Sequence, residues 1–345
     1  MSQRRLYLDA APGELRGVVA LDGLPERLLI ARFDDRAVQQ PGARVAARVR
    51  KIEPSLKTAF LDLGEGPDAV LPLAGLTAKT IHEGAWLEVQ VVSEARAGKG
   101  AATRMVGPGN GPPRLIAPAP ELRARLQAFA PGVEIVGGAP AREAADLAEH
   151  IALAVEHALP GGGRIFIEPT QALTAIDVDL AAATGDGRRA QARANREAIA
   201  AAARLLRLKG LAGLVAIDLA GKGHDGATLS AAAKAAFAPD GDGVSIGPIS
   251  RFGVLELVVP RTTAPLADRW LDPGGGFSAV TVALRLLRAI ERAAGPGQTV
   301  EARCAPDVAS IAERLAPELT HRIGPRFHIR SDPAKSRTDI EVAPR

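Results

Sequence analysis

The chain has 345 residues and a formal net charge of +4, from 43 Lys and Arg against 39 Asp and Glu. That length suggests two or three domains at about 100–200 residues each, and a charge so balanced does not prove a nucleic-acid partner. One cysteine, Cys304, excludes an intrachain disulfide and any zinc site built on two or more thiolates, and points to a cytoplasmic chain. No run of 18 apolar residues suggests a membrane span, and Asp9 and Glu14 arrive too soon for a signal peptide. Of the basic residues 35 are Arg, but Ala, Gly and Pro are abundant with them, so the excess reads first as genomic composition.

In chain order, residues 4–34 read as strands with a hairpin at Gly23 and Pro25. Residues 43–105 continue as short strands: Arg44 to Ile52, Thr58 to Leu63, Ala69 to Leu73 and Trp86 to Val92. Regular turns between them suggest a small closed β-barrel. Residues 107–119, rich in Gly and Pro, read as a linker. Helical spacing then covers Glu121–Phe129 and Ala141–Leu159, and Pro160 to Gly163 stops the second helix.

Strands are predicted at Arg164–Glu168, Leu173–Val178, Gly213–Leu219 and Val254–Val259, with helices near 188–207 and 228–237. Strands alternating with helices imply an α/β layer. A Gly-rich break at 272–276 opens a last unit, read as helix 278–294, strand 299–304, helix 306–316 and two strands near 326–331 and 337–342.

Two strands end alike. Ala175 to Asp179 and Val215 to Asp218 each run an apolar strand into Asp. Residues two apart share a face, so Asp177 and Asp179 project together. Carboxyl ends of strands are where α/β sheets bind ligands. If the two strands are neighbours, Asp177 and Asp218 converge, and two convergent carboxylates need a proton or a cation between them. Mg²⁺ suits few carboxylates, retained waters and a substrate phosphate. The plain alternative is an Asp that merely ends a strand.

Other motifs are weaker. Gly98-Lys99-Gly100 lacks P-loop spacing. His150 and His157 fall on one predicted helix face, but about 10 Å apart, too far to share a metal.

Three segments, Ile165–Asp179, Ala203–Leu219 and Ile249–Leu257, resemble the catalytic region of the ribonuclease E/G family in order and spacing. Ile52–Leu73 is similar to that family's OB-fold RNA-binding module of the ribosomal S-one type. The resemblance implies an α+β multidomain chain. Residues 1–36 would be the N-terminal strands of an RNase H-like part, 37–106 the OB-fold module and 107–119 the linker. Residues 120–160 would be a reduced RNase H-like helical part, 161–270 a DNase I-like α/β catalytic domain, and 271–345 a small C-terminal α/β domain.

The same resemblance implies a Mg²⁺-dependent endoribonuclease acting on single-stranded RNA, in RNA processing or decay. Asp177 and Asp218 would be catalytic and bind the metal, with Asp179 beside them where the family usually has Asn. Phe60, Arg96, Lys99, Arg251, Arg207 and Lys209 would bind RNA, with Asn195 in support. Phe60 could instead belong to the barrel core, and Arg207, Lys209 and Asn195 could be surface residues.

Departures from the family shape the expectation. Val70 replaces a second stacking aromatic, Gly221 replaces an acidic residue, and the Cys pair of the zinc link is missing. The region that would hold a 5′-monophosphate sensor is cut down to about 110–160. A zinc-linked assembly is therefore not expected, while the C-terminal domain could still pair two chains. Two rival readings stay open: an RNA-binding protein without cleavage on the same fold, and a metal-dependent small-molecule phosphohydrolase.

Overall fold

The computed structural model describes residues 3–76, 81–96, 99–180 and 187–345. The chain begins with three antiparallel strands, β1 (Arg4–Ala11), β2 (Glu14–Leu21) and β3 (Leu24–Arg32). Asp22 and Gly23 both take positive φ between β2 and β3, as a two-residue hairpin turn demands.

Six strands follow: β4 (Arg44–Glu53), β5 (Thr58–Asp62), β6 (Ala69–Pro72), β7 (Trp86–Ser93), β8 (Ala102–Pro108) and β9 (Arg114–Ala117). The order β5-β6-β8-β7-β4 closes through a β4–β5 pairing into a five-stranded barrel. Alternate residues, including Val45, Ala47 and Val49 on β4 and Leu87, Val89 and Val91 on β7, fill its interior. The stretch expected to be only a linker carries β9, which pairs with β4. Arg114 to Ala117 is long enough to extend the sheet despite the prolines around it.

The chain then returns to the first sheet. Helix α1 (Leu122–Phe129) precedes β10 (Ile135–Val136), which lies parallel to β1, and helix α2 (Gly138–Leu153) follows. The barrel is thus inserted between β3 and α1. The helix expected to reach Leu159 stops earlier, and Glu156–Ala158 form β11. His150 and His157 therefore lie on different elements.

The central sheet continues with β12 (Arg164–Pro169), β13 (Thr174–Asp179), helix α3 (Gly187–Lys209), β14 (Gly213–Asp218), helix α4 (Gly226–Phe237), β15 (Ser245–Ile249) and β16 (Val254–Val259). Its order is β11-β12-β13-β14-β16-β15. Only β13 and β14 are parallel, because α3 carries the chain back between them, whereas the short turn Thr170–Leu173 makes β12–β13 antiparallel. Ile165, Ile176, Val215 and Ile217 pack against Ala198, Ala202, Leu205 and Leu206 of α3, and the same core reaches Val18, Leu28 and Ile30 of the first sheet. The helices lie between two sheets. The other face of the central sheet leaves Leu214 and Val258 exposed.

Helix α5 (Leu266–Trp270) leads to the last unit, α6 (Ala279–Ala293), β17 (Val300–Cys304), α7 (Pro306–Ile323), β18 (Phe327–Ser331) and β19 (Glu341–Pro344), with strand order β18-β17-β19. Ser278 caps α6 by accepting from the Thr281 N–H. Cys304 is buried, and that burial pushes its thiol pKa up. No helix among the described residues is long and apolar enough to cross a membrane.

Candidate active site

Alternation along β13 buries Ile176 and Val178 toward α3 and turns Asp177 and Asp179 to the open face. On β14, Val215 and Ile217 point inward, and Leu214, Ala216 and Asp218 point outward. The parallel register sets Asp177 directly opposite Asp218, on neighbouring strands about 4.8 Å apart. Both are exposed, and neither side chain makes a hydrogen bond or ion pair among the described residues. Two like charges so placed repel, and a bound cation would relieve them.

Asp179 has a different environment. It lies opposite Arg164 of β12, whose Nε donates to its carboxylate at 3.0 Å; the same guanidinium donates to Glu156 at 3.0 Å. No group of three or more His, Cys, Asp or Glu among the described residues is arranged to hold a metal ion. Asp179 thus shares the open face with Asp177 while being paired with Arg164.

The end of β14 is held from two sides. Asn195 of α3 is buried; its amide donates to the Ala220 carbonyl at 3.1 Å, and its oxygen accepts from the Ala220 N–H at 3.0 Å. Asn195 thus fixes the backbone two residues after Asp218 rather than meeting a phosphate. Gln191 of α3 donates to the Lys222 carbonyl. Gly221 has φ of 79° there, and a Cβ would lie 2.6 Å from the Gln191 side chain. The acidic residue that the family resemblance would put at this position would be strained at that φ and would displace the Gln191 amide.

From the other side, the Leu219 N–H donates to the Gly253 carbonyl, and the Ser250 N–H to the Val254 carbonyl. The turn between β15 and β16 is therefore fastened beside Asp218. It presents Arg251, exposed, with its guanidinium 4.6 Å from the centre of the Phe252 ring. Glu256 shares the open face, opposite Ala216.

Two expected RNA contacts are internal instead. The Arg207 side chain is 8% exposed; it pairs with Glu26 at 3.2 Å and Asp240 at 2.6 Å and donates to the Ala236 carbonyl. Lys209 is buried and donates to the carbonyls of Ile151, Ala152 and Ala154 at the end of α2. Burial lowers its pKa to about 8. Both residues bind this fold together, so the structure withdraws them from the RNA-facing set.

On the barrel, Phe60 and Val70 are cross-strand partners. Their neighbours Ala59, Leu61, Ala69 and Leu71 fill the interior, so Phe60 lies outside the barrel core, half-buried, next to Lys51. Arg96 and Lys99 face each other across a short bridge, Lys99 exposed; Gly98 lies outside the described residues. They line a cavity with Thr170 to Thr174 and Arg261. That is the opposite end of β13 from Asp177, about 10 Å along the strand. The sequence expectations did not single out Arg261, Lys222 or Phe252, although Phe252 lies inside the segment Ile249–Leu257 that carries the family resemblance.

Comparison with known proteins bears on this site. Residues 122–262 match the Ribonuclease E/G family. The chain is 36% identical over 155 residues to Ribonuclease E of Escherichia coli (strain K12), a match covering 41% of this chain and 14% of that protein. Ribonuclease E of Haemophilus influenzae is 39% identical over 114 residues, covering 32% of this chain and 12% of that protein. Ribonuclease E of Buchnera aphidicola subsp. Acyrthosiphon pisum is 33% identical over 157 residues, covering 42% and 17%. Each match spans less than a fifth of the relative's length. The segment that is similar to the Ribonuclease E/G family, residues 122–262, is less than half of the chain and holds α1 to β16 with both Asp177 and Asp218.

Proposed function

We propose that this chain is an endoribonuclease that cleaves single-stranded RNA at the end of β13 and β14. The observation that carries the reading is the register pair Asp177–Asp218, exposed and unpartnered, inside the segment that matches the family. Two adjacent carboxylates fit a divalent cation that keeps water and phosphate oxygens as its other ligands. Asp177 and Asp218 would hold it. When bound, Mg²⁺ lowers the pKa of a water and offsets charge on the phosphodiester.

The remaining work falls to the chain's own residues. Arg251, fastened beside Asp218, is placed to hold a phosphate oxygen. Asn195 keeps the Asp218 strand end in position, and Arg164 holds Asp179. The barrel acts as an OB-fold type RNA module. Phe60 offers one stacking face, and Val70 beside it offers none, so base stacking there is weaker than with two aromatics. Arg96 and Lys99 contact backbone phosphate, a contribution that weakens as salt rises. The central layer corresponds to a DNase I-like catalytic layer, and the shortened region 110–160 leaves no 5′-monophosphate sensor.

The test incubates purified protein with labelled single-stranded RNA and Mg²⁺, beside the Asp177→Asn variant. Internal cleavage by the wild type that is lost in the variant supports the reading. Binding without cleavage in either protein makes the chain an RNA-binding protein on the same fold. Neither binding nor cleavage moves the reading to a small-molecule phosphohydrolase.

A further inference from the structure

Beside the paired aspartates lies a cavity of about 890 Å³, walled by residues 221–224, 226, 227 and 230 after β14 and by the turn 248–253 between β15 and β16. That volume is within the range of small-ligand sites. Its lining includes Lys222, His224, Ser250, Arg251 and Phe252, and no Asp or Glu. Phe252 is 75% exposed, the most open of the large apolar side chains among the described residues. An exposed aromatic of this kind costs hydration free energy unless something covers it. The Arg251 guanidinium over its ring steadies the pair by a cation–π contact.

The cavity is tied to the aspartates by backbone. Asp218 opposes Val254 in register, and Phe252 lies two residues before Val254 in the turn, at most about 7 Å of chain away. Gly253, at φ of 90°, lets the turn close on the opposite wall, since a Cβ there would lie 3.1 Å from His224 Nε2. Two cations, an open aromatic ring and the absence of carboxylates describe a site for a group with a π-face and a phosphate.

We propose that this cavity is a nucleotide subsite: Phe252 stacks one base of single-stranded RNA, and Lys222 and Arg251 hold its phosphate, one nucleotide step from the phosphodiester at Asp177 and Asp218. The inference rests on the RNA-cleavage reading for the phosphodiester's place, but not for the binding itself. A π-face accepts any base, so the subsite holds RNA without reading its sequence.

Binding is measured by fluorescence anisotropy on the Asp177→Asn protein, so that no cleavage intervenes. Adding Phe252→Ala weakens a labelled single-stranded RNA about 5- to 150-fold, and Phe252→Tyr restores it. RNAs with one abasic position each then locate the seated base. At one position the abasic RNA loses the same factor, and Phe252→Ala adds nothing further. Equal binding by both proteins, or a Phe252→Ala penalty that persists at every abasic position, overturns the subsite. A wild type that binds RNA with this pattern but never cleaves it keeps the subsite and overturns only the cleavage reading. A protein that binds no RNA overturns both.

Discussion

Where β1, β2, α2 and α6 meet, Asp9, Glu14 and Glu149 are buried, and each meets an arginine. Arg16 donates to Asp9, Asp146 and Glu149, Arg32 and Arg288 pair with Glu14, and Arg285 pairs with Glu149. At the end of β13 and β14, Asp177 and Asp218 stand side by side, exposed, with no arginine paired to either among the described residues. The first region shows what this chain does with carboxylates that fasten domains: it buries them and supplies guanidinium forks of matching geometry. The second does the reverse. Carboxylates left exposed, adjacent and unpaired contribute repulsion to the apo fold, and their use must come from something that binds them.

The largest expected effect separates the regions by stability. Glu14→Ala leaves Arg32 and Arg288 without their shared carboxylate and lowers the unfolding free energy by about 3–5 kcal/mol. Asp218→Ala changes it by less than about 0.5 kcal/mol, as for an exposed position. Urea denaturation of both variants checks this. A stability loss for Asp218→Ala equal to that for Glu14→Ala would erase the contrast.

Asn195 lies between the two cases, a buried neutral group that serves the exposed pair. Asn195→Ala leaves the Ala220 N–H and carbonyl unpaired and costs about 1–3 kcal/mol. It also slows RNA cleavage well below the temperature at which the variant unfolds. Cleavage at the wild-type rate under those conditions would reduce Asn195 to a packing role.

A last effect concerns the half-buried imidazole of His157. Burial, and then the charge of Lys209, lower the His157 pKa to about 4 from its ordinary 6.5. The folded chain keeps His157 neutral while the unfolded chain takes a proton. Stability therefore falls as pH drops from about 6.5 toward 4 and is untouched by this group above 6.5. His157→Gln flattens that part of the melting-temperature profile. An unchanged slope would mean that His157 titrates normally in the fold.

The aspartate pair was legible in the sequence because each aspartate ends an apolar alternating strand, and the helix between the strands makes them parallel neighbours. The barrel was legible from regular turns. The arginine–carboxylate junction was not, since Glu14 and Arg288 meet across almost the whole chain and no local pattern links them. Arg207 and Lys209 misled for a related reason. A basic residue on an Ala-rich helix looks solvated until Glu26, Asp240 and the end of α2 are seen to be waiting for it. Strands as short as β10, or set among prolines like β9, owe their existence to partners rather than to their own residues.

The central claim is that Asp177 and Asp218 act as one centre. A double-mutant cycle measures it: cleavage of a labelled single-stranded RNA in Mg²⁺ by wild type, Asp177→Asn, Asp218→Asn and the double variant. Each single variant is expected to lose at least about a hundredfold, and the double variant to lose no more than the worse single one, because removing either carboxylate disables the pair. Losses that multiply, or cleavage that survives both substitutions, would contradict it.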